Sequence, residues 1–317
     1  MAAFVFGLAK AELCANANAG RVDDRLPLTE SVNPSSRGLD TLGTEELLHR
    51  INDEDRRAAW AVEREIDVLA TAVDQIVARL RDGGTLHYFG AGTSGRIGML
   101  DAAEMEPTFS AGDLVMAHIA GGADALVRAV EQAEDDAESG RRDAQVLERH
   151  DAAILISASG GAAYVIGALE EARSRDALTI ALTNSPDTRL AQAADIAVVL
   201  RTGPEVIAGS TRMKAAAAQK MALAMLSTAV MVRLGKVFDN LMVDVRAGNR
   251  KLRERAVRVT QAVTGAPLQA VVGALEGCGY RPKVAIVMIR RACDTAEAQK
   301  LLDRERGDLR AALAEPL

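Results

Sequence analysis

Aromatic residues are scarce in this chain of 317 residues, at 3% of the total, so aliphatic side chains and methionine must build its core. Cysteines are few as well. Cys14, Cys278 and Cys293 form no C-x-x-C pair, so neither a disulfide framework nor a zinc site is predicted. The four histidines are scattered without ligand spacing, and we expect no metal. A reducing compartment fits this composition, and we predict a cytoplasmic protein.

An excess of basic charge is also absent. The formal net charge is −6 and the isoelectric point about 5.4, which argues against a nucleic-acid partner. No apolar run reaches the ~18–20 residues that span a bilayer, so no membrane association is predicted. Residues 1–28 start with a short apolar stretch but lack a basic leader. We interpret them as a disordered N-terminal extension rather than a signal peptide.

Hydrophobic periodicity predicts the main elements. Apolar residues at helical spacing indicate helices over 44–80 and 210–234, and the second, rich in Ala and Met, is expected in a core or subunit interface. Strands that alternate with helices form parallel sheets covered on both faces, which predicts a doubly wound α/β fold. The predicted strands are the short apolar runs 85–89, 114–120, 152–157, 178–183 and 196–200.

The C-terminal part of the chain has a different pattern. From about residue 256 to residue 317, short apolar sets are separated by glycines and Pro282, which predicts several short helices. We therefore expect two units after the extension: a sheet domain with N-terminal helices over 29–255, and a small helical subdomain over 256–317.

A glycine-rich stretch follows the first predicted strand and matches G-x-G-x-x-G over 90–95. A dinucleotide site would also need a carboxylate at the end of the second strand, where this chain has only Ile-Ala-Gly-Gly over 119–122. The dinucleotide interpretation therefore comes second to a phosphate-binding loop, in which backbone N–H groups and hydroxyls meet an anion at a helix N-terminus. Its candidate residues are Gly92, Thr93, Ser94 and Gly95.

The third predicted strand runs into a similar loop, with Ser157, Ser159 and Gly160 as candidates. Two such loops at the carboxyl ends of neighbouring strands meet at a switch point of the sheet, where open α/β folds bind ligands. Each loop alone could be an ordinary tight turn. The matching hydroxyl content of the two favours a shared phosphate site.

Three carboxylates follow the first loop in sequence and are candidates for catalysis. Glu104 lies about one helix beyond the first loop, and Pro107 is expected to end that helix, which would place Glu104 at its negative end. Glu131 and Glu134 have the spacing of one helix face. Spacing alone does not separate catalytic carboxylates from exposed ones, because most Glu side chains are at the surface.

Several longer stretches carry a resemblance to a known family. They include TESVNPSS (29–36), GAGTSGRIGMLDAAE (90–104), AVEQAED (129–135) and GPEVIAGSTRMKAAAAQK (203–220). From about residue 29 to the C-terminus the chain resembles the N-acetylmuramic acid 6-phosphate etherases, which are sugar isomerase (SIS) domain proteins. The resemblance implies a SIS-type, flavodoxin-like sheet, a homodimer, and removal of D-lactate from the sugar phosphate by elimination and hydration without cofactor or metal.

The resemblance also implies roles for residues. The family's two glutamates correspond to Glu104, expected as general acid, and Glu134, expected as the second acid–base group. Candidates for binding the substrate's phosphate or carboxylate are Ser210, Thr211, Arg212 and Lys214.

The chain also departs from the family pattern. It reads ASGGAAY over 158–164 where the family has ASGRTPY, so an arginine and a threonine hydroxyl are missing. Glu106 stands where proline is usual, and residues 183–186 read TNSP in place of a CNP pattern. Two other functions stay open on the same fold: an aldose–ketose phosphosugar isomerase, and a non-catalytic phosphosugar sensor similar to the glucokinase regulatory proteins. Retention of both Glu104 and Glu134 favours catalysis.

Overall fold

The computed structural model describes residues 28–245 and 247–314. Its centre is a five-stranded, all-parallel sheet in the order β2-β1-β3-β4-β5, so the predicted fold class is confirmed. Each strand begins and ends within one residue of its predicted bounds, because short apolar runs between turns are strong local signals. The strands are β1 Leu86–Gly90, β2 Val115–Ile119, β3 Ala152–Ser157, β4 Leu178–Thr183 and β5 Ile196–Val199.

Helices cover both faces of this sheet. One face packs against α1 (Thr44–Glu63), α2 (Ile66–Arg81), α3 (Gly92–Phe109) and α8 (Lys214–Arg233). The other packs against α5 (Ala137–Ala144), α6 (Ala163–Ser174) and α7 (Arg189–Ala193), and α4 (Asp124–Val127) is a single turn. Successive strand residues point to opposite faces, so Tyr88 enters the first core and Phe89 the second.

The long helix α8 forms much of the first core. It begins at Lys214, four residues later than predicted. It is long and apolar enough to cross a membrane, which corrects our expectation that the chain lacks such a segment. Its apolar window is, however, 56% buried inside the protein, where Leu223, Leu226 and Val230 pack below the sheet. It is therefore a core helix.

A polar cluster crosses the first two strands. The Nδ1 atom of His87 on β1 and the Nε2 atom of His118 on β2 lie 2.9 Å apart. Thr85 lies 2.9 Å from the other nitrogen of His87 and donates a hydrogen bond of 2.8 Å to Asp151. Burial and the neighbouring His118 lower the pKa of His87 to about 4, against a smaller opposing effect of Asp151. His87 is therefore uncharged at neutral pH.

The C-terminal helices form a third core of their own, next to a two-stranded ribbon, β6 (Val237–Phe238) and β7 (Leu241–Met242). The predicted boundary between residues 255 and 256 falls inside one of these helices. The predicted extension over 1–28 lies, apart from Leu28, outside the described residues. The helices are α9 Arg250–Thr264, α10 Leu268–Gly277, α11 Pro282–Arg291, α12 Thr295–Arg304 and α13 Leu309–Ala314.

Candidate active site

The sheet order places a switch point between β1 and β3, because β2 lies on one side of β1 and β3 on the other. The loops that follow these two strands border a cavity of about 390 Å³. The first contributes Gly92, Thr93 and Ser94 to the cavity wall. The second contributes Ser157, Ser159 and Gly161. The two predicted phosphate loops therefore meet.

The first loop has the features of an anion-binding loop. Helix α3 begins at Gly92, and its N-cap residue Ala91 has no side-chain acceptor for the first N–H groups. These groups and the positive end of the helix dipole lie at the cavity wall. Gly95 permits the tight strand-to-helix turn, since a Cβ atom there would lie 2.6 Å from the Gly90 carbonyl oxygen and from Ile119.

The second loop ends at the N-terminus of α6, whose N-cap residue Ala162 also lines the cavity and also lacks a side-chain acceptor. The hydroxyl of Ser157 accepts a 3.1 Å hydrogen bond from the Gly160 N–H. Gly160 has a φ of +70° and lies against Thr188, where a Cβ atom would have no room. Gly160 therefore shapes the loop rather than lining the cavity.

The acidic residues of the cavity wall are Glu30, Glu134 and Asp135. Glu134 belongs to a 3₁₀ turn, Ala133–Asp135, and not to an α-helix, so the predicted shared helix face with Glu131 is wrong. Gln132, with a φ of +62°, bends the chain just before this turn. Asp135 and Glu30 were not among the predicted site residues.

Glu104 does not line the cavity. It is exposed on α3, twelve residues and about 18 Å of helix beyond Gly92. Pro107 does not end the helix as predicted: it lies inside α3, which continues to Phe109. The nearby carboxylate of Glu106 accepts a 2.6 Å hydrogen bond from the Gly112 N–H beyond the end of the helix. Glu104 and Glu134 of one chain are therefore not brought together at its cavity.

The segment before α8 supplies the remaining wall. Gly209 and Thr211 line the cavity, whereas the predicted Arg212 lies in a neighbouring apolar groove with Ile207 and Met213. The predicted Ser210 does not cap α8, which starts at Lys214. Instead, the buried Glu205 accepts hydrogen bonds from the first two helix N–H groups, those of Lys214 (3.3 Å) and Ala215 (2.8 Å). Burial raises the pKa of Glu205 against these opposing contacts.

Lys214 does not reach the cavity. Its side chain is fully buried, and its Nζ atom donates to Oε2 of Glu54 on α1. The same oxygen accepts a 2.9 Å hydrogen bond from Asn33, which also donates to the Pro204 carbonyl. Lys214 therefore fixes the loop beside the cavity to α1 and to the N-terminal segment, a role that its place in the STRMK stretch did not suggest.

Comparisons with known proteins agree with this architecture. A family model described as glucokinase regulatory protein N-terminal SIS domain matches residues 68–173, and a SIS domain model matches residues 127–229. N-acetylmuramic acid 6-phosphate etherase 1 of Bacillus licheniformis is 48% identical over 289 residues, which cover 90% of this chain and 95% of that protein. This chain belongs to the N-acetylmuramic acid 6-phosphate etherase family.

Another member of the etherase family, from Symbiobacterium thermophilum, is 51% identical over 264 residues, which cover 83% of this chain and 88% of that protein. Among solved structures, a putative phosphosugar isomerase of Bacteroides fragilis is 22% identical, with a TM-score of 0.49, over 62% of this chain and 95% of that one.

Proposed function

We propose that this chain removes D-lactate from N-acetylmuramic acid 6-phosphate with water, giving N-acetylglucosamine 6-phosphate. One observation carries the proposal: relatives that are 48% and 51% identical, over 90% and 83% of this chain, are N-acetylmuramic acid 6-phosphate etherases. The cavity supports it, since it is lined both by donor-rich loops suited to phosphate and by Glu134, which corresponds to a glutamate of the family.

The proposed reaction requires proton transfers and no change of oxidation state. Ring opening exposes an aldehyde at C1, which acidifies the proton on C2. A carboxylate base removes this proton, the C3–O bond breaks, and an acid protonates the departing lactate oxygen. Water then adds at C3 of the unsaturated aldehyde. A group at the cavity wall can serve as base in the first half and return a proton in the second, and we assign this work to Glu134.

We assign the general acid to Glu104, supplied by a second copy of the chain. Glu104 of the same chain lies about 18 Å along α3 from the phosphate loop, so a homodimer must bring a partner's Glu104 to the cavity. Exposed apolar side chains on the two adjacent helices support such a contact surface: Leu100 on α3, and Met225 and Val232 on α8.

Substrate contacts follow from the cavity wall. Gly92, Thr93 and Ser94 with Ser157 and Ser159 are proposed to hold the phosphate, with Gly95 and Gly160 shaping the loops. Thr211 lines the cavity, and Ser210 and Arg212 of the same loop are proposed to face the lactate carboxylate. We further propose that the protein is cytoplasmic, and that the sheet domain and the C-terminal helical subdomain are separate folding units whose boundary lies before α9, because α9 spans the predicted position between residues 255 and 256.

Release of D-lactate from N-acetylmuramic acid 6-phosphate by the purified protein tests the function. In water labelled with ¹⁸O, the label must appear at C3 of the product and not in the lactate, because the C3–O bond is the one that breaks. Glu104→Gln should fold and release lactate at about a hundredth of the wild-type rate or less. A folded wild-type protein that binds the sugar phosphate and releases none would contradict the proposal and favour a phosphosugar sensor.

A further inference from the structure

The N-terminal segment forms part of the cavity wall through a carboxylate with no role in the steps above. Glu30 ends the 3₁₀ turn Leu28–Glu30, about sixty residues before the first phosphate loop in sequence, yet it lines the same cavity as Thr93 and Ser157. Within residues 28–245 and 247–314, no hydrogen bond or ion pair engages its side chain. As far as the described residues go, the carboxylate is unpaired at the cavity wall.

Gly209 leaves room for this carboxylate. A Cβ atom at position 209 would lie 2.8 Å from Oε2 of Glu30, so the absence of a side chain lets the carboxylate rest against the backbone of the 203–213 loop. The Gly209 N–H also donates a 3.1 Å hydrogen bond to the Thr29 carbonyl. The N-terminal segment and the 203–213 loop are thus joined by a hydrogen bond at Thr29, the residue next to Glu30.

Asn33 fixes the same segment to the core. Its side chain is 3% exposed, donates hydrogen bonds to Glu54 (2.9 Å) and to the Pro204 carbonyl (3.1 Å), and accepts one from the Ser35 N–H (2.9 Å). A buried amide with three partners is rigid. Glu30, three residues away, is consequently presented from a pre-organised support, as a specific binding group requires.

The charges of the cavity wall determine which part of a ligand Glu30 can contact. Among the described residues, the cavity wall contains three carboxylates and no lysine or arginine. The phosphate therefore belongs at the helix N-termini of the two loops, since a carboxylate repels it. What remains of a sugar phosphate is a row of hydroxyl groups, which are hydrogen-bond donors, and a carboxylate is the strongest side-chain acceptor for them.

We propose that Glu30 is a specificity-determining residue whose carboxylate accepts hydrogen bonds from hydroxyl groups of the sugar phosphate. The proposal rests on a phosphosugar being the ligand, as the proposed function requires. A site built to pair with a hydroxyl rejects analogues that lack it far more strongly than an apolar pocket does. Glu30 would thus select a sugar from among other phosphate esters that fit the two loops.

The test compares two probes, N-acetylglucosamine 6-phosphate and inorganic phosphate, by calorimetric titration of the full chain. Glu30→Ala should weaken binding of the sugar phosphate about tenfold or more, because a hydrogen bond to a charged group is lost. Binding of inorganic phosphate should stay the same or tighten, since a like charge is removed. Glu46→Ala, at an exposed carboxylate in the first turn of α1, is the control and should change neither.

A loss of affinity for both probes would mean that Glu30 merely supports the cavity, and unchanged affinity for both would mean that it touches no ligand; either result overturns the proposal. A 4-deoxy or 3-deoxy analogue sharpens the readout: at least one should bind wild type worse than N-acetylglucosamine 6-phosphate, and that difference should shrink in Glu30→Ala. These are binding measurements, so they stand even if no lactate is released and the etherase proposal fails. Absence of any sugar phosphate binding would overturn both.

Discussion

The hydroxyl of Ser94 donates a hydrogen bond of 2.9 Å to the side-chain oxygen of Gln219, 125 residues further along the chain. The amide of Gln219 in turn donates a 2.9 Å hydrogen bond to Asn184, in the loop after β4. The first phosphate loop is thus tied to the long helix α8 and to a third strand end. The hydroxyl hydrogen of Ser94 is engaged in this contact, so its backbone N–H is the donor left for the proposed phosphate.

Replacing Gln219 by Met should weaken phosphate binding and lower the free energy of unfolding by about 1–3 kcal/mol, because the buried Ser94 and Asn184 each lose a partner. Titration with inorganic phosphate and urea unfolding measure the two effects. Gln192→Met, at an exposed glutamine, should change stability by less than about 0.5 kcal/mol. If Gln219→Met and Gln192→Met changed phosphate binding and stability equally, the structural role assigned to Gln219 would be wrong.

Mixing two inactive variants tests the shared active site. Glu104→Gln and Glu134→Gln should each lose lactate release by roughly a hundredfold or more, as expected for a lost proton-transfer group. If each cavity uses its own Glu134 and the partner's Glu104, a mixture in equal amounts that exchanges subunits regains about one quarter of the wild-type activity, since half of the dimers carry one intact site. No recovery in verified mixed dimers would place both glutamates in one chain.

The buried ion pair between Lys214 and Glu54 predicts a large stability effect. Their side chains are 0% and 3% exposed. Lys214→Met leaves Arg57, 3.4 Å away, as the remaining cation of the Glu54 carboxylate, and should still cost about 2–3 kcal/mol because a buried hydrogen bond between charged groups is lost. Adding Glu54→Leu should recover part of this loss. Arg128→Ala breaks an exposed pair with Asp124 and should cost no more than about 1 kcal/mol. Urea unfolding compares them, and similar costs for Lys214→Met and Arg128→Ala would contradict the assignment.

Gly95 and Gly161 form a matched pair of glycines in the two phosphate loops. A methyl group at 95 would meet backbone and Ile119 at 2.6 Å, so Gly95→Ala should open the loop, cost about 1–3 kcal/mol and weaken phosphate binding. A methyl group at 161 would meet only the Ser159 hydroxyl, at 3.7 Å. Gly161→Ala should therefore be tolerated in both assays, and equal tolerance at 95 would show that close packing is not required there.

The buried histidine pair predicts an acid-sensitive fold. The pKa of His87 is about 4 in the folded protein against its usual 6.5, so at intermediate pH the unfolded chain binds more protons. Acidification through this window therefore favours unfolding, and the contribution is complete above pH 6.5. Between pH 7.5 and pH 5 wild type should lose about 2 kcal/mol more than His87→Gln, which cannot take up the proton. Parallel stability–pH curves would contradict this.

The structural features that depend on residues close together in the chain were predicted from the sequence. The strands and both glycine loops follow from runs of a few residues, and the structure has them within one residue. Lys214 was expected at the substrate because the pattern around it shows no partner, whereas its burial depends on Glu54, 160 positions earlier. Glu30 was missed for the same reason, since its approach to Gly209 arises only when the N-terminal segment packs over the loop before α8.

The contacts of Asn33 set an order of assembly during synthesis. Its acceptor at Pro204 leaves the ribosome 171 residues later, and the cation that completes the buried cluster follows ten residues after that. Strands β1, β3 and β4 and the two phosphate loops have all emerged by then, and their contacts are shorter in sequence, so they can pair first. The part of the cavity wall that is made first therefore cannot be fixed in place until the loop before α8 has been made.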